Sequence, residues 1–236
     1  MALPFFYSNE VDPSSILLVL DENTSKHVVQ VLRMQNGERL QLTDGKGNIY
    51  TCEITDNHRK KCSVSVTQRI EISRHAAQIC IAISPVKNNS RFEWFLEKAT
   101  EIGVTQIVPL ICERTEKQQL KTERLNGILI SAMLQSQQAW LPVLTEPAKF
   151  ADYVASVRAT AGLQKFIAHC EDDQKETLAG IVTAKDSTIL IGPEGDFTNK
   201  EIELALQSGF AAVSLGTTRL RTETAGMVAA VLLRQL

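Results

Sequence analysis

The hydrophobic pattern of this 236-residue chain changes period once, near residues 73–77, and that change limits the folds open to it. Ahead of it, residues 39–43, 49–55 and 62–68 alternate apolar and polar side chains, and residues 16–20 form a short apolar run. Period-two alternation marks strands with one face buried and one solvated. Behind it, residues 79–86 are continuously apolar, and further runs at 107–112, 166–169, 188–191 and 212–215 alternate with stretches of helical spacing. Unbroken apolar strands alternating with helices describe a buried parallel sheet with helices on both faces. The expected organisation is a β-rich unit over residues 1–73 and an α/β unit over residues 77–236.

In the first unit, Asp44-Gly45-Lys46-Gly47-Asn48 reads as the turn of a hairpin. Val28, Val31 and Leu32 predict one helix, with Asn23, Thr24 or Ser25 as its cap. Small β-barrels with one helix suit this pattern. In the second unit a helix is expected over residues 91–102, with Phe92, Phe95 and Leu96 inward, and a longer one over residues 121–138.

Charge and cysteine usage narrow the function. A net charge of −2 argues against a protein that coats nucleic acid nonspecifically, though a local basic surface remains open. His58-Arg59-Lys60-Lys61 is such a cluster, though by itself it reads first as a solvated turn between two strands. The five cysteines and four histidines are dispersed, which points to reduced thiols in a cytoplasmic protein and to no metal site. No apolar run is long enough to span a bilayer, and the N-terminus lacks the pattern of a secretory signal.

Ligands of open α/β sheets bind beyond the carboxyl ends of the strands. Three such ends stand out: Ala168-His169-Cys170, Ile191-Gly192-Pro193-Glu194-Gly195 and Leu215-Gly216-Thr217-Thr218-Arg219-Leu220-Arg221. In the second, Gly192-Pro193-Glu194-Gly195 breaks a buried strand, and Thr198 with Glu201 forms a capping box for the next helix. The loop lacks both the Gly-Lys-Ser/Thr ending of a phosphate-binding loop and the GxGxxG of a dinucleotide site, which argues against a nicotinamide dehydrogenase. Glu194 would repel a phosphate, so a phosphate-free nucleoside such as S-adenosyl-L-methionine (SAM) suits the loop. In the third, Arg219 and Arg221 either face the ligand or pair with acids such as Glu223.

With Leu220-Arg221-Thr222-Glu223-Thr224-Ala225 these segments resemble the C-terminal signature of the SPOUT methyltransferases, and within them the ribosomal RNA small subunit methyltransferase E family. The resemblance extends over the chain through residues 27–34, Asp44-Gly45, Lys87, Arg91, residues 97–104, Pro109, Glu113-Arg114 and Gln135-Ser136. It implies an N-terminal PUA-like β-barrel that helps hold RNA, followed by a SPOUT α/β domain with a deep trefoil knot near its end. It implies a homodimer, with SAM bent in the knot and active sites near the interface. The implied reaction is methylation of uridine N3 in 16S ribosomal RNA near the decoding centre. Alternatives of the same fold are an enzyme acting on transfer RNA or another ribosomal base, and a catalytically silent assembly factor that docks on RNA. The chain departs from the family pattern at Asp196, where a second glycine is usual, at Gln137-Gln138 in place of Gly-Arg, and in lacking an arginine near its N-terminus.

On this reading the cofactor is held by His169, Ile191, Gly192, Pro193, Glu194, Gly195, Leu215, Gly216, Leu220, Arg221, Thr224 and Ala225. N3 becomes a nucleophile as its proton leaves, and the charge spreads to the flanking carbonyl oxygens. Arg221 is the expected guanidinium partner for that charge, and Glu194 and Glu223 are expected to orient the cofactor, the arginine or the acceptor. His27, Arg33, Lys87, Arg91, Lys98 and Arg114 are candidate RNA contacts.

Overall fold

The computed structural model describes residues 3–234 except 12–15, 118, 172–174 and 184, so the first two positions of the N-terminal stretch lie outside it. The chain forms two compact units. One runs to Arg74 and takes in Met133–Leu141; the other comprises His75–Ala132 and the chain from Pro142 onward.

The first unit is a curled five-stranded sheet. Its strands are β1 (Phe5–Tyr7), β2 (Leu17–Val19), β3 (Arg39–Thr43), β4 (Asn48–Asp56) and β5 (Ser63–Glu71), in the order β1-β3-β4-β5-β2. Among the described residues the two edges, β1 and β2, do not pair, so the sheet is a half-barrel. Alternation along β4 buries Tyr50, Cys52 and Ile54 on one face, as the sequence pattern requires. The β3–β4 turn is held by Asp44, whose Oδ1 accepts from the N–H groups of Lys46 (2.8 Å) and Asn48 (3.2 Å). A side chain on Gly47 would lie 2.4 Å from the indole of Trp140, and the Trp140 Nε1 donates to the Ile72 carbonyl at 2.9 Å. That close seat is why Met133–Leu141 belongs to this unit.

The helix of the first unit differs from expectation. α1 (Glu22–Lys26) is capped by Asp21, whose Oδ1 accepts from Asn23 N–H (2.9 Å) and Thr24 N–H (3.0 Å). Ser25, an expected cap, is buried, and its hydroxyl links Leu20 to Cys62. The chain then widens into a π-helical turn over His27–Val31. The wider turn breaks the 3.6-residue period, which leaves Val31 and Leu32 exposed rather than packed beside Val28.

The second unit is built on parallel strands β6 (Ile79–Ile83), β7 (Gln106–Ile111), β8 (Val143–Leu144), β9 (Ala148–Lys149), β10 (Gln164–Ala168), β11 (Glu176–Thr177), β12 (Ser187–Ile191) and β13 (Ala211–Ser214). They run in the order β11-β13-β10-β12-β6-β7-β8, with β9 also on β7. The helices are α2 (Asn89–Ile102), α3 (Thr122–Gln135, which ends in the first unit), α4 (Phe150–Val157), α5 (Leu178–Ile181), α6 (Asn199–Gln207) and α7 (Thr222–Arg234). α4 and α6 cover Ala82, Leu190 and Ile167 with Phe150, Val154 and Ile202. On the opposite face α7 lies so close that a side chain on Gly226 would sit 2.7 Å from Ile83 and Phe95. Ala82 and Ile83 are neighbours on one strand, so these two helical layers sandwich the sheet. Phe92, Phe95 and Leu96 of α2 are buried as their spacing predicts.

Candidate cofactor and acceptor site

β13, β10 and β12 are adjacent and parallel, so their carboxyl ends open at one edge. Two cavities lie there. One, about 400 Å³, is lined by Ile191, Gly192, Pro193, Glu194, Arg221 and Glu223, with Arg91 from α2. The other, about 470 Å³, is lined by His169, Val213, Leu215, Gly216, Thr217 and Lys175. Ala168, Cys170, Arg219, Leu220 and Ala225 form their common wall. Each falls within the roughly 300–1,000 Å³ usual for a cofactor pocket. Ile191, Leu215 and Leu220 supply apolar surface, and the ends of the strands and loops supply backbone polar groups.

Backbone approach is built into these walls. Gly216 has φ +139°, and nothing lies within 4 Å of where its Cβ would stand, so the space beside it is open to a ligand. At Gly192 a Cβ would meet Phe197 at 3.2 Å, which keeps that loop folded against the sheet. The capping box is present: Thr198 N–H donates to Glu201 Oε2 at 2.8 Å, and Glu201 N–H donates to the Thr198 hydroxyl at 3.4 Å.

The charged groups are positioned rather than merely nearby. The Glu194 Oε1 accepts from the Lys87 N–H at 3.0 Å, which fixes one oxygen while the side chain remains on the cavity wall. Glu223 is buried in the first turn of α7 and lies 3.7 Å from the Arg91 Nε. Its partner is therefore Arg91, and neither Arg219 nor Arg221 pairs with it. Among the described residues the Arg221 guanidinium makes no ion pair, and its residue is exposed on the cavity wall. Its backbone is fixed, since the Arg221 carbonyl accepts from Ala225 N–H at 2.7 Å.

Asp196 is the element that sequence reasoning registered only as a departure. It adopts φ +61°, a conformation asparagine and aspartate tolerate better than most residues. Its Oδ2 accepts from Cys170 N–H at 2.7 Å, and its Oδ1 from Phe197 N–H at 2.8 Å. It thereby ties the β12 loop to the β10 loop, two walls of the same site. The Cys170 thiol is held above its usual range, first by desolvation and then by the Asp196 carboxylate.

The other expected residues divide. Ile191, Gly192, Pro193, Glu194, Leu220, Arg221 and Ala225 meet on one cavity, and His169, Leu215 and Gly216 on its neighbour. Gly195 and Thr224 are on neither wall, and the Gly195 carbonyl instead accepts from Arg114 Nη1 at 2.7 Å. Arg114, expected on RNA, thus braces the β12 loop; the same nitrogen reaches the Phe197 carbonyl at 3.3 Å. Lys98 is clasped by Glu97 (2.7 Å) and Glu101 (2.9 Å), and it lines neither cavity. Lys87 pairs with Glu116 at 3.0 Å, which pushes its ammonium pKa up. His27 and Arg33 are exposed in the first unit, His27 edge-on to Phe6 at 5.5 Å.

Residues 73–234 match the RNA methyltransferase domain family, and residues 20–67 match the RNA methyltransferase PUA domain. The chain thus carries an RNA methyltransferase domain together with an RNA methyltransferase PUA domain. The chain is 31% identical over 86% of its length to ribosomal RNA small subunit methyltransferase E of Synechocystis, of which it covers 68%. It superposes with a TM-score of 0.88 on a structure described as a probable rRNA-methyltransferase from Porphyromonas gingivalis, 40% identical, covering 97% of this chain and 95% of that one. A ribosomal RNA small subunit methyltransferase E from Neisseria gonorrhoeae, solved bound to S-adenosyl methionine, gives a TM-score of 0.87 at 27% identity, with 99% and 98% covered. The chain belongs to the ribosomal RNA small subunit methyltransferase E family.

Proposed function

We propose that the protein is a SAM-dependent methyltransferase that modifies N3 of a uridine in 16S ribosomal RNA near the decoding centre, on the small ribosomal subunit. The observation that carries this is the joint cavity at the ends of β13, β10 and β12, where Arg221, Glu194 and an Arg91–Glu223 pair stand beside glycine loops open to a ligand. The residues fit the cofactor. Gly216 leaves room against its backbone, and Leu215, Leu220 and Ile191 supply apolar contact. When bound, SAM supplies an electrophilic methyl group.

The protein's own work is then alignment and charge. The uracil sits against the wall of Arg221 and Glu194. As N3 loses its proton, the Arg221 guanidinium stabilises the negative charge that grows on the flanking carbonyl oxygens. Its planar fork suits those two oxygens better than an ammonium does. Glu194, with one oxygen fixed by the Lys87 N–H, is placed to meet the departing proton with the other. Glu223 keeps Arg91 beside the acceptor, where Arg91 contacts the RNA backbone.

The first unit holds RNA through the surface around the π-helical turn, where His27 and Arg33 are exposed. The enzyme works as a homodimer with its sites near the interface, its C-terminal segment threaded as a trefoil knot. Trp94, 43% exposed and one turn along α2 from Arg91, is an apolar anchor for such an interface. Family membership and the exposed groups support these points. The test is transfer of labelled methyl from SAM to small subunits prepared from cells lacking this enzyme, followed by nucleoside analysis. N3-methyluridine in 16S RNA is expected. Another modified nucleoside would redirect the substrate, and SAM binding without transfer would favour an assembly role.

A further inference from the structure

A further cavity, about 770 Å³, lies apart from the strand-end pair, between the start of α2 and the segment that leads into α3. Its floor is apolar, from Val86, Phe92 and Leu125. Its rim carries four cations, Lys87, Lys117, Lys121 and Arg124, against two acids, Glu93 and Glu116. Both acids are already engaged. Glu93 receives Arg124 through two hydrogen bonds of 2.7 and 2.9 Å, and Glu116 receives Lys87 at 3.0 Å. Lys117 and Lys121 make no ion pair among the described residues; Lys117 bonds the neutral amide of Asn89 and adds, at longer range, to the positive field on Glu93. The cavity therefore carries a surplus of two positive charges on a chain whose net charge is −2.

Its position relates it to the acceptor. Lys87 lines this cavity with its side chain, while its N–H holds Glu194 on the wall of the strand-end cavity. Along α2, Phe92 and Glu93 face this cavity and Arg91 faces the other, so the first turns of one helix form the partition. An apolar floor under a rim with two surplus cations matches a nucleotide: a base on the half-buried Leu120, which lines the cavity with the buried Val86, Phe92 and Leu125, and a phosphodiester on Lys117 and Lys121.

We propose that this cavity is a subsite for a nucleotide flanking the target uridine in the same RNA strand, with Lys117 and Lys121 as its phosphate ligands. Enzymes that act on a base take it out of its stack, and contacts to the flanking nucleotides hold the strand while they do so. The subsite lies next to the acceptor wall, where a neighbouring nucleotide of an extruded base has to go. This inference rests on the RNA methyltransferase reading and adds residues to it.

The test compares Lys117→Ala/Lys121→Ala with wild type and with Lys185→Ala/Lys200→Ala, which removes the same charge from elsewhere in the second unit. Binding to unmethylated small subunits is measured by filter retention across a salt series, with SAM affinity by calorimetry as a check on folding. The cavity variant is expected to bind about tenfold more weakly, with its log–log salt slope flatter by about 1, near the roughly 0.7–0.9 per phosphate contact typical of nucleic acids. Its KM for subunits rises in parallel while SAM affinity and kcat hold, and the Lys185/Lys200 variant stays near wild type. An unchanged affinity and slope, or an equal loss in both variants, would overturn the subsite. Because the readout is binding, a wild-type protein that binds subunits without methylating them defeats the functional reading alone.

Discussion

The strand-end cavities and the α2–α3 cavity belong to one unit but are made of different material. The first are walled by glycine loops, strand ends and acids whose oxygens are fixed by backbone N–H groups, as Glu194 is by Lys87 and Asp196 by Cys170 and Phe197. The second is rimmed by long cationic side chains from separate segments. Backbone walls are preorganised, which suits a cofactor of fixed shape and a charge that must be met without rearrangement. Lysine and arginine rims are adaptable and long-ranged, which suits a polyanion whose path varies.

That contrast breaks most visibly at Arg221, an exposed side-chain charge without an ion pair among the described residues, on a wall built from backbone. Arg221→Ala is expected to lower kcat by about 10²–10³, the cost of removing one group that stabilises developing charge. SAM affinity measured by calorimetry should stay within about twofold of wild type. Arg221→Lys should recover only part of the loss, since an ammonium cannot address two oxygens at once. Equal losses in kcat and SAM affinity would make Arg221 part of the cofactor cradle instead.

Gly226 tests what both cavities share. It lets α7 approach Ile83 and Phe95, and α2 carries walls of both sites. Gly226→Ala forces a methyl into contacts of 2.7 Å and should destabilise the unit by overpacking. About 1–3 kcal/mol is expected from chemical denaturation. Binding of SAM and of subunits should weaken together, unlike the effect of any cavity residue.

On the backbone-built side, Asp196 carries the tie between two loops. Asp196→Ala loses two acceptors at φ +61° and should weaken SAM binding by about five- to tenfold, on the order of 1–1.5 kcal/mol. Asp196→Gly relieves the backbone and should lose less. If both variants bind SAM as tightly as wild type, the tie between the β10 and β12 loops contributes nothing.

The smallest expected effect concerns Cys170, the exposed one of five free cysteines and part of the wall common to both strand-end cavities. Its raised pKa keeps the thiol protonated at neutral pH, so alkylation should be slow there and accelerate only above the ordinary thiol range. Saturating SAM should slow labelling further by several-fold, as followed by mass spectrometry. Asp196→Asn removes a cause of the raised pKa and should bring the acceleration to lower pH.

The same division explains what could be read from the sequence. The parallel sheet, the buried faces of α2 and β4, the capping box at Thr198 and the strand-end loops all express local rules of period, glycine and cap chemistry. Features that depend on distant partners were not legible. The seat of Trp140 on Gly47 joins residues far apart in sequence, and nothing near residue 140 announces it. Asp21 lies before the polar run in which the cap was sought, and the π-helical turn has no compositional mark. Arg114 is expected on RNA from its place in the family pattern, and that pattern gives no sign that its guanidinium also serves two carbonyls of the β12 loop. The rim cations at 87, 117, 121 and 124 assemble only when α2 and α3 come together.

Steady-state methyl transfer with both substrates varied tests the division of labour most directly, using wild type, Asp196→Ala and Lys117→Ala/Lys121→Ala side by side. Asp196→Ala is expected to raise the KM for SAM and leave that for small subunits unchanged, and the lysine variant to do the reverse. Movement of both constants in both variants, or the opposite assignment, would contradict a backbone-built cofactor site beside a side-chain-built RNA subsite.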